Sequence, residues 1–210
     1  MTSIKSVAAA AALAFLAAGT AGAQVNGQKV TDPIGPLLEL SAPGSCAVSC
    51  SLLGFGTITG GSIYFNSEPS FAARPTGTVG NFLAAGPSSG TPALLTFDLP
   101  QLSIGFLWGS PDTYNSLEVL HSGGSTFFSA AGLGFSETGG SQGFAQYVRF
   151  DAEAGSQITG LRFISPTNAF EVSNFSVPAG GAQVPEPATL ALFAVGLVGL
   201  AGTARRRRQA

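Results

Sequence analysis

Between Gln24 and Gln183 the chain has only four basic side chains, Lys29, Arg74, Arg149 and Arg162, against ten acidic ones, a net charge of −6. Phosphate recognition needs clustered Lys and Arg, so this stretch excludes a nucleic-acid partner. Histidine is scarcer still: His121 stands alone. A Ser/His/Asp triad would have to be built around it, and a lone histidine closing an alternating strand reads instead as a turn or surface residue. Two cysteines, Cys46 and Cys50, are too few for a metal site, and three residues separate them where a thioredoxin-like redox motif has two. In an oxidising exported setting they read as a small disulfide loop, the alternative being two free thiols. Helical periodicity is missing too: over the same stretch no helix-period pattern reaches ten residues, which argues against a helical domain.

What the chain has in abundance is turn formers, with 29 Gly and 13 Pro in 210 residues. Short apolar or period-two runs recur between them: 62–66, 93–99, 102–108, 116–121, 125–130, 144–152, 157–165 and 169–177. Eight such runs predict an all-β domain, an antiparallel β-sandwich or jelly roll. Leu95, Phe97 and Leu99 alternate with Thr96 and Asp98, and Leu117 and Val119 flank Glu118, so each set of apolar residues is expected to face inward. Gly123-Gly124 suits a two-residue hairpin turn. In "AFEVSNFSV" the parity slips between Phe170/Val172 and Phe175/Val177, which predicts a bulge near Ser173-Asn174. Most of the 16 Phe are assigned to the core.

The ends differ from the middle. Residues 1–23 combine Lys5, an apolar stretch and small residues at Ala21 and Ala23, a secretory signal peptide with cleavage before Gln24 by signal peptidase after passage through the general secretion machinery. At the other end, 184–210 reads "VPEPATLALFAVGLVGLAGTARRRRQA". The 17 uncharged residues from Ala188 to Ala204 would make a helix of about 26 Å at ~1.5 Å per residue, enough to cross a thin hydrocarbon layer. With Pro187 at its first position the predicted transmembrane helix spans 187–204. Arg205, Arg206, Arg207 and Arg208 then stop transfer and remain cytoplasmic. Pro185 and Pro187 hold Val184 to Glu186 extended, leaving a stiff peptide at the outer membrane surface where an enzyme can reach it.

Val184, Pro185, Glu186 and Pro187, the apolar helix and the arginine cluster together resemble the PEP-CTERM sorting signal of bacteria that secrete extracellular polysaccharide. The resemblance implies an exosortase as partner, which severs the tail near Pro-Glu-Pro and releases or transfers the protein to the cell surface or matrix. The reading is therefore 1–23 signal peptide, 24–183 exported β-sandwich and 184–210 sorting segment, anchored transiently in the inner membrane. A permanent C-terminal anchor is the alternative.

Within the exported domain, Trp108 ends a strand and Gly109-Ser110-Pro111-Asp112 turns the chain, so Trp108, Asp112, Tyr114 and Asn115 form a candidate saccharide-contact patch; an ordinary buried corner uses the same residues. "WGSPDTYN" and the later "NAFE" resemble paired motifs in a subgroup of exosortase-dependent surface proteins, which adds surface location and no chemistry. Asp98, Asp112, Glu118, Asp151 or Glu171 can pair as glycosidase carboxylates only if the fold joins them. Asp112, Asp151 and Glu153 are likewise a conceivable calcium set without the run of a calcium loop. "GPSSG" at 86–90 has the form of a nucleophile elbow, with Ser88 as nominal serine, but a strand-like segment follows where a helix is required. Asn174-Phe175-Ser176 has the form of a glycosylation sequon. No catalytic residue, metal ligand or cofactor is assigned. The expected function is a non-enzymatic, structural or polysaccharide-associated surface or matrix protein; the alternatives are a carbohydrate-binding module and a carboxylate-dependent glycoside hydrolase.

Overall fold

The computed structural model describes residues 24–179, and the expected signal peptide, the sorting motif, the apolar run and the arginine cluster lie outside them. The described residues form strands with no helix. In chain order these are β1 (Val25–Val30), β2 (Gly44–Ser45), β3 (Cys50–Leu52), β4 (Gly56–Thr59), β5 (Ser62–Tyr64), β6 (Phe82–Ala85) and β7 (Ala93–Gln101). Six more follow: β8 (Ser103–Gly109), β9 (Ser116–His121), β10 (Gly124–Phe128), β11 (Ala145–Ala152), β12 (Ile158–Ile164) and β13 (Phe170–Ser176). All eight predicted runs are strands. Those not predicted are β1 to β4 and β6, whose four residues are all buried and so show no alternation.

Two antiparallel sheets make a β-sandwich. One has the order β1-β11-β8-β13-β6-β5-β2 and the other β10-β9-β12-β7-β4-β3. Their inner faces meet in a core rich in aromatic rings. Phe106 is at its centre, with ring centroids 5.7 Å from Phe150, 5.6 Å from Phe163 and 5.6 Å from Phe175. Eight Phe are buried, while Phe65 and Phe127 are exposed. Cys46 and Cys50 are disulfide-bonded, Cys46 just beyond β2 of one sheet and Cys50 opening β3 of the other, so the bond staples a corner between the sheets.

Three local expectations are refined. Leu99 does not face inward with Leu95 and Phe97; it is 70% exposed. Between Thr96 and Gln101, β7 carries four residues where β12 carries one between Gly160 and Ile158, and this irregularity interrupts the alternation at Leu99 before it resumes at Gln101. Glu118 does not face solvent: it is buried, and its Oε2 accepts a hydrogen bond from Arg162 Nη1 at 2.6 Å on the neighbouring strand β12. Pairing makes that burial tolerable. The hairpin turn is Ser122-Gly123 instead of Gly123-Gly124, since Gly124 already pairs with His121. Gly123 N–H donates to His121 Nδ1 at 3.2 Å, which buries the ring inside the hairpin. The bulge in β13 is present: register shifts between Ser173 and Ser176, and Asn174 adopts φ 50°. The shift lets Phe175 join Phe170 and Val172 in the core.

Strand direction gives the sandwich two distinct ends. Antiparallel pairing puts Ser103, Asp151, Val25 and Ser176 at one end of the first sheet. Gly109, Ala145, Val30 and Glu171 occupy the other. The chain enters beside Glu153, whose N–H donates to Gln24 O at 3.0 Å, and β13 leaves towards the C-terminus at the same end. The five steps of β13 from Glu171 to Ser176 separate that end from Glu171 by roughly 17 Å at ~3.3 Å per residue.

Candidate functional site

A cleft of about 250 Å³ opens at the end away from Val25 and Ser176. Four segments wall it: 67–73, the turn Ser110–Asp112 after β8, Gly140–Gln142 before β11, and Asn168–Glu171 entering β13. It is smaller than most small-molecule sites, which run to about 300–1,000 Å³.

Strand pairing explains why these segments meet. Gly109 pairs with Glu171 and Trp108 with Val172, so "WGSPDTYN" and "NAFE" are adjacent strands and their continuations. Ser110 takes φ 31°, a backbone setting that L-residues seldom adopt, at the point where the chain leaves β8. Its hydroxyl donates to Glu171 Oε2 at 2.7 Å. Ala73 N–H donates to Glu171 Oε1 at 2.9 Å, which ties the 67–73 segment to the floor. Gly109 admits this packing because a Cβ there would lie 2.5 Å from Pro75 Cγ. Burial pushes the Glu171 carboxyl up to about 7; the two donors oppose that shift, and the charge of Asp112 adds to it.

At the rim, the Tyr114 hydroxyl lies 2.7 Å from Asp112 Oδ2 and 3.1 Å from Asn168 O. Burial raises the Tyr114 pKa, with Asp112 contributing in the same direction. Gly140 takes φ 73°, and a Cβ there would meet Asp112 Oδ1 at 2.5 Å, so glycine is what leaves the carboxylate its space.

The patch expected at Trp108, Asp112, Tyr114 and Asn115 is divided by the fold. Asp112 lines the cleft and Tyr114 is 36% exposed beside it. Trp108 is fully buried, stacked on Phe170 with centroids 4.3 Å apart and edge-on to Phe135, so it supports the site from below and cannot meet a ligand. Asn115 is also buried: its Nδ2 donates to Ala169 O at 3.2 Å and its Oδ1 accepts from Ser165 Oγ at 2.7 Å. Both residues correct the sequence expectation, each for its own reason. The strand delivers the indole to the inter-sheet core, and the turn folds the amide back under itself.

Of the five carboxylates considered for pairing, Asp112 and Glu171 share the cleft. Glu118 is bound to Arg162 and Asp151 to Arg149. Asp112, Asp151 and Glu153 do not gather, since Glu153 accepts from Asn26 and Asp151 lies at the opposite end of the sheet. No cluster of three potential metal ligands occurs among the described residues. Ser88 sits in a tight turn closed by Gly90 N–H to Gly86 O at 2.7 Å, β7 follows, and Asn168 Nδ2 donates to its hydroxyl at 2.9 Å. Asn174 is buried, its Nδ2 donating to Gly77 O and Tyr147 Oη, which leaves the sequon no accessible amide.

Sequence reading missed Glu68, Phe71 and Gln142, which line the cleft from loops without periodicity. The available signal was the pair of motifs, because "WGSPDTYN" and "NAFE" are the two halves of one corner.

Residues 183–208 match the family model of the PEP-CTERM protein-sorting motif. The chain thus carries the signal of an exported protein that an exosortase sorts and processes at the membrane. No curated protein and no solved structure matched the chain.

Proposed function

We infer that residues 24–183 are a non-enzymatic surface or matrix domain, delivered by cleavage of the signal peptide before Gln24 and of the tail near Pro185-Glu186-Pro187, and associated with extracellular polysaccharide. The observation that carries this reading is the sorting motif at 183–208 placed directly behind an all-β domain. The acidic charge of the exported stretch suits a protein that remains soluble among other polymers instead of binding polyanions.

In this reading the helix of 187–204 holds the chain in the inner membrane only until processing, with Arg205 to Arg208 inside. Intact-mass spectrometry of protein from the surface fraction tests it. The expected mass begins at Gln24 and lacks Arg205 to Arg208; a chain that retains the arginines in cells with an active exosortase contradicts the sorting reading.

One observation favours a hydrolase as the second reading: Asp112 and Glu171 share a cleft and the Glu171 carboxyl is pushed up to about 7, as a general acid requires. Against it, both Glu171 oxygens are engaged, by Ala73 N–H and Ser110 O–H, and the side chain is buried. Release of reducing ends from a polysaccharide panel, abolished in Asp112→Asn, is the result that would favour hydrolysis over binding.

A further inference from the structure

We propose that the cleft walled by residues 67–73, 110–112, 140–142 and 168–171 is a binding site for a neutral, hydroxyl-rich saccharide unit, held at the pole opposite the end of β13. It rests on the polysaccharide association inferred above and assigns that association to one place.

Charge selects the class of ligand. Glu68, Asp112 and Glu171 line the cleft and no Lys, Arg or His does. Sulfate, phosphate or uronate groups would meet two or three carboxylates with no compensating cation, so anionic glycans are excluded. Glu171 is occupied internally, which leaves Asp112 and Glu68 as the carboxylates presented to a ligand. The other polar lining is neutral and two-sided: the hydroxyls of Ser67 and Ser70 and the amide of Gln142 both donate and accept. A sugar ring, whose hydroxyls also do both, matches that inventory better than a cation, which only seeks acceptors. Phe71 adds an apolar wall, itself set edge-on to Tyr64 at 6.1 Å. The volume, about 250 Å³, fits one ring-sized unit with its neighbours extending through the open mouth.

Position supports the same reading. β13 begins beside the cleft, with Glu171 its second residue lining it, and ends at Ser176 at the opposite pole. A domain attached through the end of β13 carries the cleft on its far side. Rigidity at the base comes from the Trp108–Phe170 stack directly behind the corner.

The test uses the mature protein recovered from surface and membrane fractions. An array presents neutral gluco-, manno-, galacto- and xylo-oligosaccharides, with alginate and hyaluronan oligomers as the anionic arm, glucosamine oligomers as the cationic arm and calcium chloride alone as the metal arm. Binding to at least one neutral oligosaccharide is expected. Gln142→Ala, at an exposed residue that puts folding at little risk, and Asp112→Asn, which keeps the shape, should each weaken it at least tenfold. Ala154→Ser at the opposite pole should leave it unchanged. No binding on the neutral arm, binding only on another arm, or neutral binding that ignores both cleft variants overturns the proposal. A processed tail without neutral binding sinks this site and leaves sorting standing; neutral binding with an unprocessed tail does the reverse.

Discussion

The two poles of the sandwich are built differently. At the tail pole the carboxylates are partly exposed and partnered: Asp151 pairs with Arg149 at 2.7 Å and accepts from Ser103, and Glu153 accepts from Asn26. At the cleft pole Glu68, Asp112 and Glu171 line one cleft with no Lys, Arg or His, and Glu171 is buried with only the neutral donors Ser110 and Ala73. A carboxylate beside a cation keeps its charge, whereas burial without one disfavours it. The difference teaches that charge is balanced at one pole and left uncompensated at the other, and a ligand site belongs where it is uncompensated.

Mutations can break or sharpen that contrast. The largest effect is expected beneath the cleft, where Trp108→Ala removes a fully buried indole and should cost about 3–5 kcal/mol of stability in denaturant titration. It would abolish binding only by unfolding the domain, so glycan affinity per folded molecule separates its role from that of Asp112.

Next in size is a pH effect confined to the cleft pole. Burial raises the Glu171 carboxyl from 4.5 in the unfolded chain to about 7 in the fold. The folded state therefore keeps this proton longer than the unfolded state does. The stability it contributes is complete below pH 4.5, falls as pH rises towards 7, and is lost above that. The slope in this window is at most about 1.4 kcal/mol per pH unit. Glu171→Gln cannot titrate, and its amide can still accept from Ala73 and donate to Ser110; thermal melts from pH 4 to 8 should lose this slope in the variant.

A smaller loss is expected at the stapled corner. The loop closed by Cys46 and Cys50 is short, so replacing both by Ala should cost about 2 kcal/mol by chain entropy. Denaturant midpoints of the oxidised parent and the double variant measure it. Smallest of all, Leu99→Ser should change stability by less than about 0.5 kcal/mol, because the side chain is 70% exposed. A loss of 2 kcal/mol there would mean that Leu99 faces the core, as simple alternation suggests.

Much of the fold was legible in the sequence, for a physical reason. Half-buried stretches such as the first six residues of β7 alternate, and the parity slip at Ser173-Asn174 marks the bulge. Fully buried β6 and the short polar edges carry no such period. The site was half legible. The turn after Trp108 pointed to Asp112 and Tyr114, but alternation cannot say that Trp108 enters the core, because all seven residues of β8 are buried and carry no period. Glu68 and Gln142 come from separate loops, brought together by strand order, which no local pattern encodes.

Hydrogen–deuterium exchange on the mature protein, with and without the best neutral oligosaccharide from the array, tests the two-pole account most directly. Slower exchange is expected in peptides covering 67–73, 110–115 and 139–143, with 153–157 and 176–179 unchanged. Protection at the tail pole instead, or equal protection at both, would contradict it.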